Sequence, residues 1–120
     1  MAGLVLNIEK THFMQFVTKN IYLIYLYITH EHKKIAYVCN TKFLGITLDI
    51  TLTWKIHVDT IIPKLSSTWF AIQAVRPSLF QESLKMVYYS YFHSIMTYGI
   101  IFWGNSYYSK KVFRFQKKNY

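Results

Sequence analysis

The hydrophobic period of this chain changes near residue 50, and that change decides which class of fold it can adopt. After it, Trp54, Val58, Ile61, Leu65, Trp69 and Ile72 recur at steps of four, three, four, four and three, a spacing that lines them along one side of an α-helix. Pro63 falls inside the stripe and predicts a kink or a helix restart, with Thr60 as a candidate cap. Pro77 ends the segment. Ser78 stands three residues before Gln81, the spacing of a capping box. A second helix is therefore predicted through Leu84, Tyr88, Tyr91, Ile95 and Tyr98, with Gly99 and Gly104 allowing it to stop. Tyr108, Val112 and Phe115, at steps of four and three, predict a shorter third helix.

Before residue 50 the apolar runs are short and rich in β-branched and aromatic side chains. Residues 12–17, 21–29, 35–39 and 43–48 have strand lengths and strand compositions. His30-Glu31-His32-Lys33-Lys34 reads as the polar connection of a hairpin, and Asn40-Thr41 as a second break. Gly45 falls inside the last of these runs, where a glycine marks a bulge or the close approach of another backbone. Strands first and helices second predict an α+β fold. Residues 1–50 form an N-terminal hairpin or meander, and residues 51–120 a three-helix bundle.

Charge narrows the partner. Fourteen Lys and Arg against five Asp and Glu leave a formal charge of +9 on 120 residues, and aromatics make up 19%. A basic, aromatic-rich chain suits a polyanion, either nucleic acid or an anionic membrane surface, better than an acidic small molecule. A single cysteine, Cys39, excludes an internal disulfide and with it an extracellular stapled scaffold. The apolar start ends at Asn7 without a preceding basic region, too short for a signal peptide. Met86 to Trp103 is 18 residues without a charge, the lower limit for a membrane span. Its tyrosines, serines, His93 and Thr97 would carry polar atoms through hydrocarbon, where unpaired groups are costly. A membrane-associated protein using this segment is thus the minority reading. His30, His32 and Cys39 lack the second Cys/His pair that a structural zinc site needs. No Ser-His-Asp set and no Gly-rich phosphate loop is present.

One run of motifs points further. Phe43-Leu44-Gly45-Ile46-Thr47-Leu48-Asp49, followed by Leu52-Thr53-Trp54 and His57, resembles the reverse transcriptases of non-long-terminal-repeat retrotransposons, especially the jockey-like group. In that family the segment opens the primer-grip hairpin and leads into the thumb. Leu4 to Thr11 with Phe13-Met14-Gln15-Phe16 is similar to the motif after the catalytic strand. Pro63-Lys64-Leu65-Ser66-Ser67 with Ala71-Ile72 resembles the first thumb helix. Tyr91-Phe92-His93-Ser94, Tyr98-Gly99-Ile100 and Trp103-Gly104-Asn105 resemble the second, and Phe115-Gln116-Lys117-Lys118 the third. The resemblance covers nearly the whole chain, most thinly between Asn20 and Asn40.

The resemblance implies the end of a palm, a primer grip and a thumb, holding an RNA template and a DNA primer inside the cell. It also implies that a palm and fingers portion is missing. The family's chemistry needs paired aspartates holding two metal ions, one of them on a Phe/Tyr-Ala-Asp-Asp turn. This sequence has only Asp49 and Asp59, neither in such a turn. The expectation is a truncated copy or fragment, inactive alone, with Mg²⁺ belonging to the intact polymerase and neither a cofactor nor a small-molecule ligand of its own.

Carried over residue by residue, Lys10 matches the lysine after the catalytic strand, which in the family approaches the incoming nucleotide's phosphates. A solvated lysine at a strand start would read the same. Phe43, Leu44 and Gly45 match the primer-holding segment, where a glycine lets backbone amides approach a sugar-phosphate chain; an ordinary buried strand with a bulge competes with this. Lys55, Lys64, Arg76 and Lys85 fall on or beside the thumb helices, as solvated lysines also do. Lys110, Lys111, Arg114, Lys117 and Lys118 put five basic residues into the last eleven, the densest electrostatic patch, which a frayed basic terminus would share. Trp54, Trp69 and Trp103 read as core. Even without the polymerase role, such a chain would be a weak, salt-dependent, non-specific nucleic-acid binder.

Overall fold

The structure is a computed structural model that describes residues 3–20 and 24–119. It has a mixed α+β architecture whose short strands precede its helices. The chain divides into two compact units, Met1–Leu52 and Thr53–Tyr120.

The described residues of the first unit form three separate two-stranded ladders. A 3₁₀ turn, Ile8–Lys10, is capped by Asn7, whose side-chain oxygen accepts from the Lys10 amide at 3.3 Å. Strand β1 (His12–Phe13) then runs parallel to β4 (Ala36–Tyr37), and the Phe13 and Tyr37 rings lie 5.3 Å apart. Strands β2 (Thr29–His30) and β3 (Lys33–Lys34) form an antiparallel hairpin. Its two-residue turn, Glu31-His32, has positive φ at both positions, the arrangement whose twist matches the flanking strands. The hairpin connection read from sequence is therefore present, but tighter than His30 to Lys34, with only Glu31 and His32 in the turn.

Strands β5 (Asn40–Phe43) and β6 (Ile46–Asp49) pair from Asn40↔Asp49 to Phe43↔Ile46. Leu44 and Gly45, at φ 49° and 82°, make the turn. This overturns two expectations. Asn40-Thr41 is strand rather than break, and Gly45 is the tip of a hairpin rather than a bulge within a strand. The physical reason is that positive φ at two successive residues is what a two-residue hairpin demands, and glycine takes it without strain. Residues 14–17 and 35–39 carry less strand than their composition suggested, and residues 24–28 none. The start of the expected strand 21–29 lies outside the described residues. Ile35 and Asp49 are the buried side chains among the described residues of this unit. Asp49 accepts from the Thr51 hydroxyl at 2.6 Å, and its carbonyl accepts from the Leu52 amide at 3.0 Å, which fixes the turn after β6.

The second unit is helical. Helix α1 (Lys55–Val75) is continuous through Pro63, so the predicted restart does not occur. A proline costs a helix about 3 kcal/mol, whereas each fully buried stripe residue contributes roughly 1.5–3 kcal/mol. Val58, Ile61, Leu65 and Ile72 are all buried, so an unbroken helix wins. Thr60 does not cap; its hydroxyl donates to the Ile56 carbonyl at 2.8 Å. A 3₁₀ turn (Arg76–Ser78) follows, then α2 (Gln81–Val87), whose N-cap is Phe80 with no side-chain cap bond. The capping box at Ser78 is not formed.

From Tyr88 to His93 the helix widens into a π turn before continuing as α3 (Ser94–Thr97). Gly99, at φ 66°, breaks it, and the short α4 (Ile100–Trp103) follows. The Trp103 indole N–H donates to the Tyr98 carbonyl at 2.9 Å, satisfying a backbone oxygen at the break. Helix α5 (Ser109–Asn119) closes the unit. The core joins Val58, Ile61, Leu65 and Ile72 of α1 to Phe92, Met96, Trp103 and Val112, with Trp54 and Trp69 packed against it. Among the described residues no helix is long and apolar enough to cross a membrane.

Candidate nucleic-acid interface

In the first unit, the residues singled out by sequence lie in the 3₁₀ turn and at the end of the β5–β6 hairpin. Lys10 ends the 3₁₀ turn and is exposed. Phe43 and Leu44 are 62% and 74% exposed, with Gly45 beside them at the hairpin tip. Phe43 is the last paired residue of β5, opposite Ile46, and Leu44 and Gly45 turn the chain beyond it. An apolar cleft of about 540 Å³, floored by Phe13, Ile35 and Tyr37 and bordered by Tyr27, lies elsewhere in the same unit. Among the described residues, no three His, Cys, Asp or Glu side chains converge as metal ligands would.

The charge is concentrated in the second unit, where nine of the fourteen Lys and Arg residues meet two acids, Asp59 and Glu82. Helix α5 organises it. Val112 is buried, and Phe115 stacks on Phe92 at 6.3 Å. These contacts fix the rotation of the helix and leave its basic side chains outward. Lys111, Arg114 and Lys118 share one side at steps of three and four, and with Asp59, Ile62 and Pro63 of α1 they border a groove of about 440 Å³. Lys117 faces the other side, where Tyr88, Tyr89, His93, Phe113 and Gln116 complete a second cleft of about 500 Å³. Lys110 lies over the Tyr107 ring at 5.4 Å.

One carboxylate moderates this field. Asp59 pairs with Lys111 at 3.5 Å, with both side chains about half exposed (50% and 54%), so the pair contributes little to stability. It partly neutralises Lys111 and leaves Arg114 and Lys118 as the stronger anion-facing groups of that groove. Lys55, Lys64, Arg76 and Lys85 are exposed on α1, the turn after it and α2, and none of them borders either groove. The dense C-terminal basic patch is therefore a two-sided helix face, while the four scattered cations are not brought to it.

Sequence reading missed the aromatic cleft. The predicted second helix runs its stripe through Tyr88, Tyr91, Ile95 and Tyr98, yet Tyr91 and Tyr98 are 63% and 52% exposed while Phe92 and Met96 are buried. The π turn is the cause: a turn of i→i+5 bonding holds one extra residue and moves the buried face along by one position. The available signal was the hydroxyl spacing. Ser90 donates to the Met86 carbonyl, Ser94 to the Ser90 carbonyl at 2.6 Å, and Thr97 to the His93 carbonyl at 2.8 Å, contacts that accompany bent helices.

Near the start of α1, His57 is only 3% exposed, with Trp54 edge-on at 6.2 Å and Trp103 at 5.9 Å. Burial, aided by the charge of Lys64, holds its pKa below the ordinary histidine value of 6.5. It belongs to the packing of the unit rather than to the basic face.

No protein-family model, curated protein or solved structure matches the chain.

Proposed function

We propose that this chain is the template–primer-holding portion of an RNA-directed DNA polymerase of the non-long-terminal-repeat retrotransposon type, and that it does not itself transfer nucleotides. The observation that carries the reading is the order along the chain. A segment reading Phe43-Leu44-Gly45-Ile46 makes a tight hairpin with an exposed tip, and a helical unit holding most of the positive charge comes after it. In such a polymerase the hairpin tip would steady the primer end. The lysines and Arg114 of α5 would bind phosphates without regard to sequence. The chain's only aspartates, Asp49 and Asp59, are a turn-forming side chain and the partner of Lys111. Two-metal chemistry would have to come from another segment.

The test is a fluorescence-anisotropy titration of the full chain with a labelled RNA–DNA hybrid, run beside a primer-extension assay containing Mg²⁺ or Mn²⁺. Binding is expected at low salt. With about four phosphates neutralised, it should weaken by roughly 100-fold between about 50 and about 200 mM salt. No extension product is expected. Absence of binding at low salt, affinity indifferent to salt, or measurable nucleotide incorporation each counts against the reading.

A further inference from the structure

The wide turn between α2 and α3 assembles something a regular helix could not. Side chains five apart on an α-helix point about 140° from each other, whereas i→i+5 bonding brings them nearly into line. Across Tyr88–His93 this gathers three rings. Tyr89 lies 5.3 Å from His93 and edge-on to Tyr88 at 5.4 Å, while Tyr88 and His93 are 6.5 Å apart. Helix α5 supplies a second side with Phe113, Gln116 and Lys117, lining an open cleft of about 500 Å³. That is within the roughly 300–1,000 Å³ typical of small-ligand sites. Gln116 donates one amide N–H to the Tyr88 hydroxyl at 3.3 Å and keeps its carbonyl and second N–H for a ligand's edge. Among the described residues no carboxylate borders the cleft.

Tyr88 itself stacks on Phe92 at 5.2 Å, which leaves the exposed Tyr89 ring beside His93. That ring, an amide that can read an edge and a cation at the rim suit a planar ring tethered to an anion, which is the chemistry of a nucleotide. Bases inside a duplex are already stacked and paired, so only an unpaired nucleotide could enter. On the other side of the same helix, Arg114 and Lys118 border the charged groove and would meet the neighbouring phosphates. We propose that the Tyr88–His93 turn and α5 form a seat for one unpaired nucleotide of a single strand, with the base among Tyr88, Tyr89 and His93 and its phosphate on Lys117. This rests on the nucleic-acid-holding reading above and adds a place for one unpaired nucleotide beside the phosphate contacts of the helical unit.

The experiment titrates the full chain at low salt with three labelled probes of about twelve nucleotides: single-stranded RNA, single-stranded DNA, and an abasic strand of the same length. Base-bearing single strands are expected to bind about tenfold more tightly than the abasic strand. Tyr89→Ala should bring the two close to parity, and Tyr89→Phe, which keeps the ring, should restore the difference. Tyr89 is 57% exposed, so its truncation removes little of the core. Lys117→Ala should weaken base-bearing and abasic strands alike. The RNA and DNA arms show which sugar the seat accepts. Equal affinity for abasic and base-bearing strands, or discrimination that survives Tyr89→Ala, would overturn the seat while leaving salt-dependent hybrid binding intact. Loss of binding to every probe would remove the seat and the proposed function together.

Discussion

Leu44 holds a backbone conformation that its branched side chain adopts only at a cost. Its φ of 49° lies in the left-handed region, which disfavours L-residues other than Gly, Asn and Asp by roughly 1–2 kcal/mol. Leu44→Asn would create Asn-Gly, the pair best suited to this turn. It should raise the thermal midpoint by an amount equivalent to about 1 kcal/mol, followed by circular dichroism. If the exposed leucine at the tip serves primer holding, the same variant should bind the RNA–DNA hybrid less tightly despite being more stable. His57 carries a second prediction at this scale. Its folded pKa is below the unfolded value of 6.5 because burial, and then Lys64, disfavour its charged form. The unfolded chain therefore takes up the proton first as pH drops. This group contributes no penalty above pH 6.5, and a growing one from there down to its folded pKa. Melting midpoints should fall between about pH 7 and about pH 5, and less steeply in His57→Phe, which keeps a ring between Trp54 and Trp103. Identical slopes for the two proteins would refute the assignment.

Between elements, the parts legible in sequence were those whose period survives folding. The α1 stripe placed Val58, Ile61, Leu65 and Ile72, and all four are buried; Val112 and Phe115 likewise set the inward side of α5. What sequence concealed were departures from a fixed period. Composition could not show that Leu44-Gly45 turns the chain, because Phe43 to Leu48 reads as one unbroken β-rich run. Nor could it show the π turn, since a stripe extrapolated at helical steps runs one residue out of phase beyond Ser90. The aromatic cleft was illegible for the same reason. Gly104 gives this scale its own test. A Cβ there would come within 2.5 Å of the Ile100 carbonyl oxygen and 2.9 Å of Ile100 Cγ1, and a backbone atom has little room to yield. Gly104→Ala should destabilise the helical unit by about 1–3 kcal/mol, read as a lower midpoint in urea.

At the scale of the molecule, the two units differ in how much each buries. The helical unit encloses a contiguous core around Leu65 and Trp103. The strand-rich unit buries little among its described residues and exposes Leu4, Val5, Tyr25 and Tyr27 strongly. Exposed apolar surface and short open ladders promote association. Dynamic light scattering should therefore show species larger than a monomer, growing with protein concentration and reduced by mild detergent; a single monomeric radius across the range would contradict this. All three indoles of the chain, Trp54, Trp69 and Trp103, lie beyond Leu52. Emission excited near the red edge of protein absorbance thus reports on the helical unit alone, leaving the strand-rich unit dark. A denaturation curve recorded in that channel, laid over one of hydrodynamic radius, which reports the entire chain, reveals without a label whether the halves melt as one cooperative body or in succession.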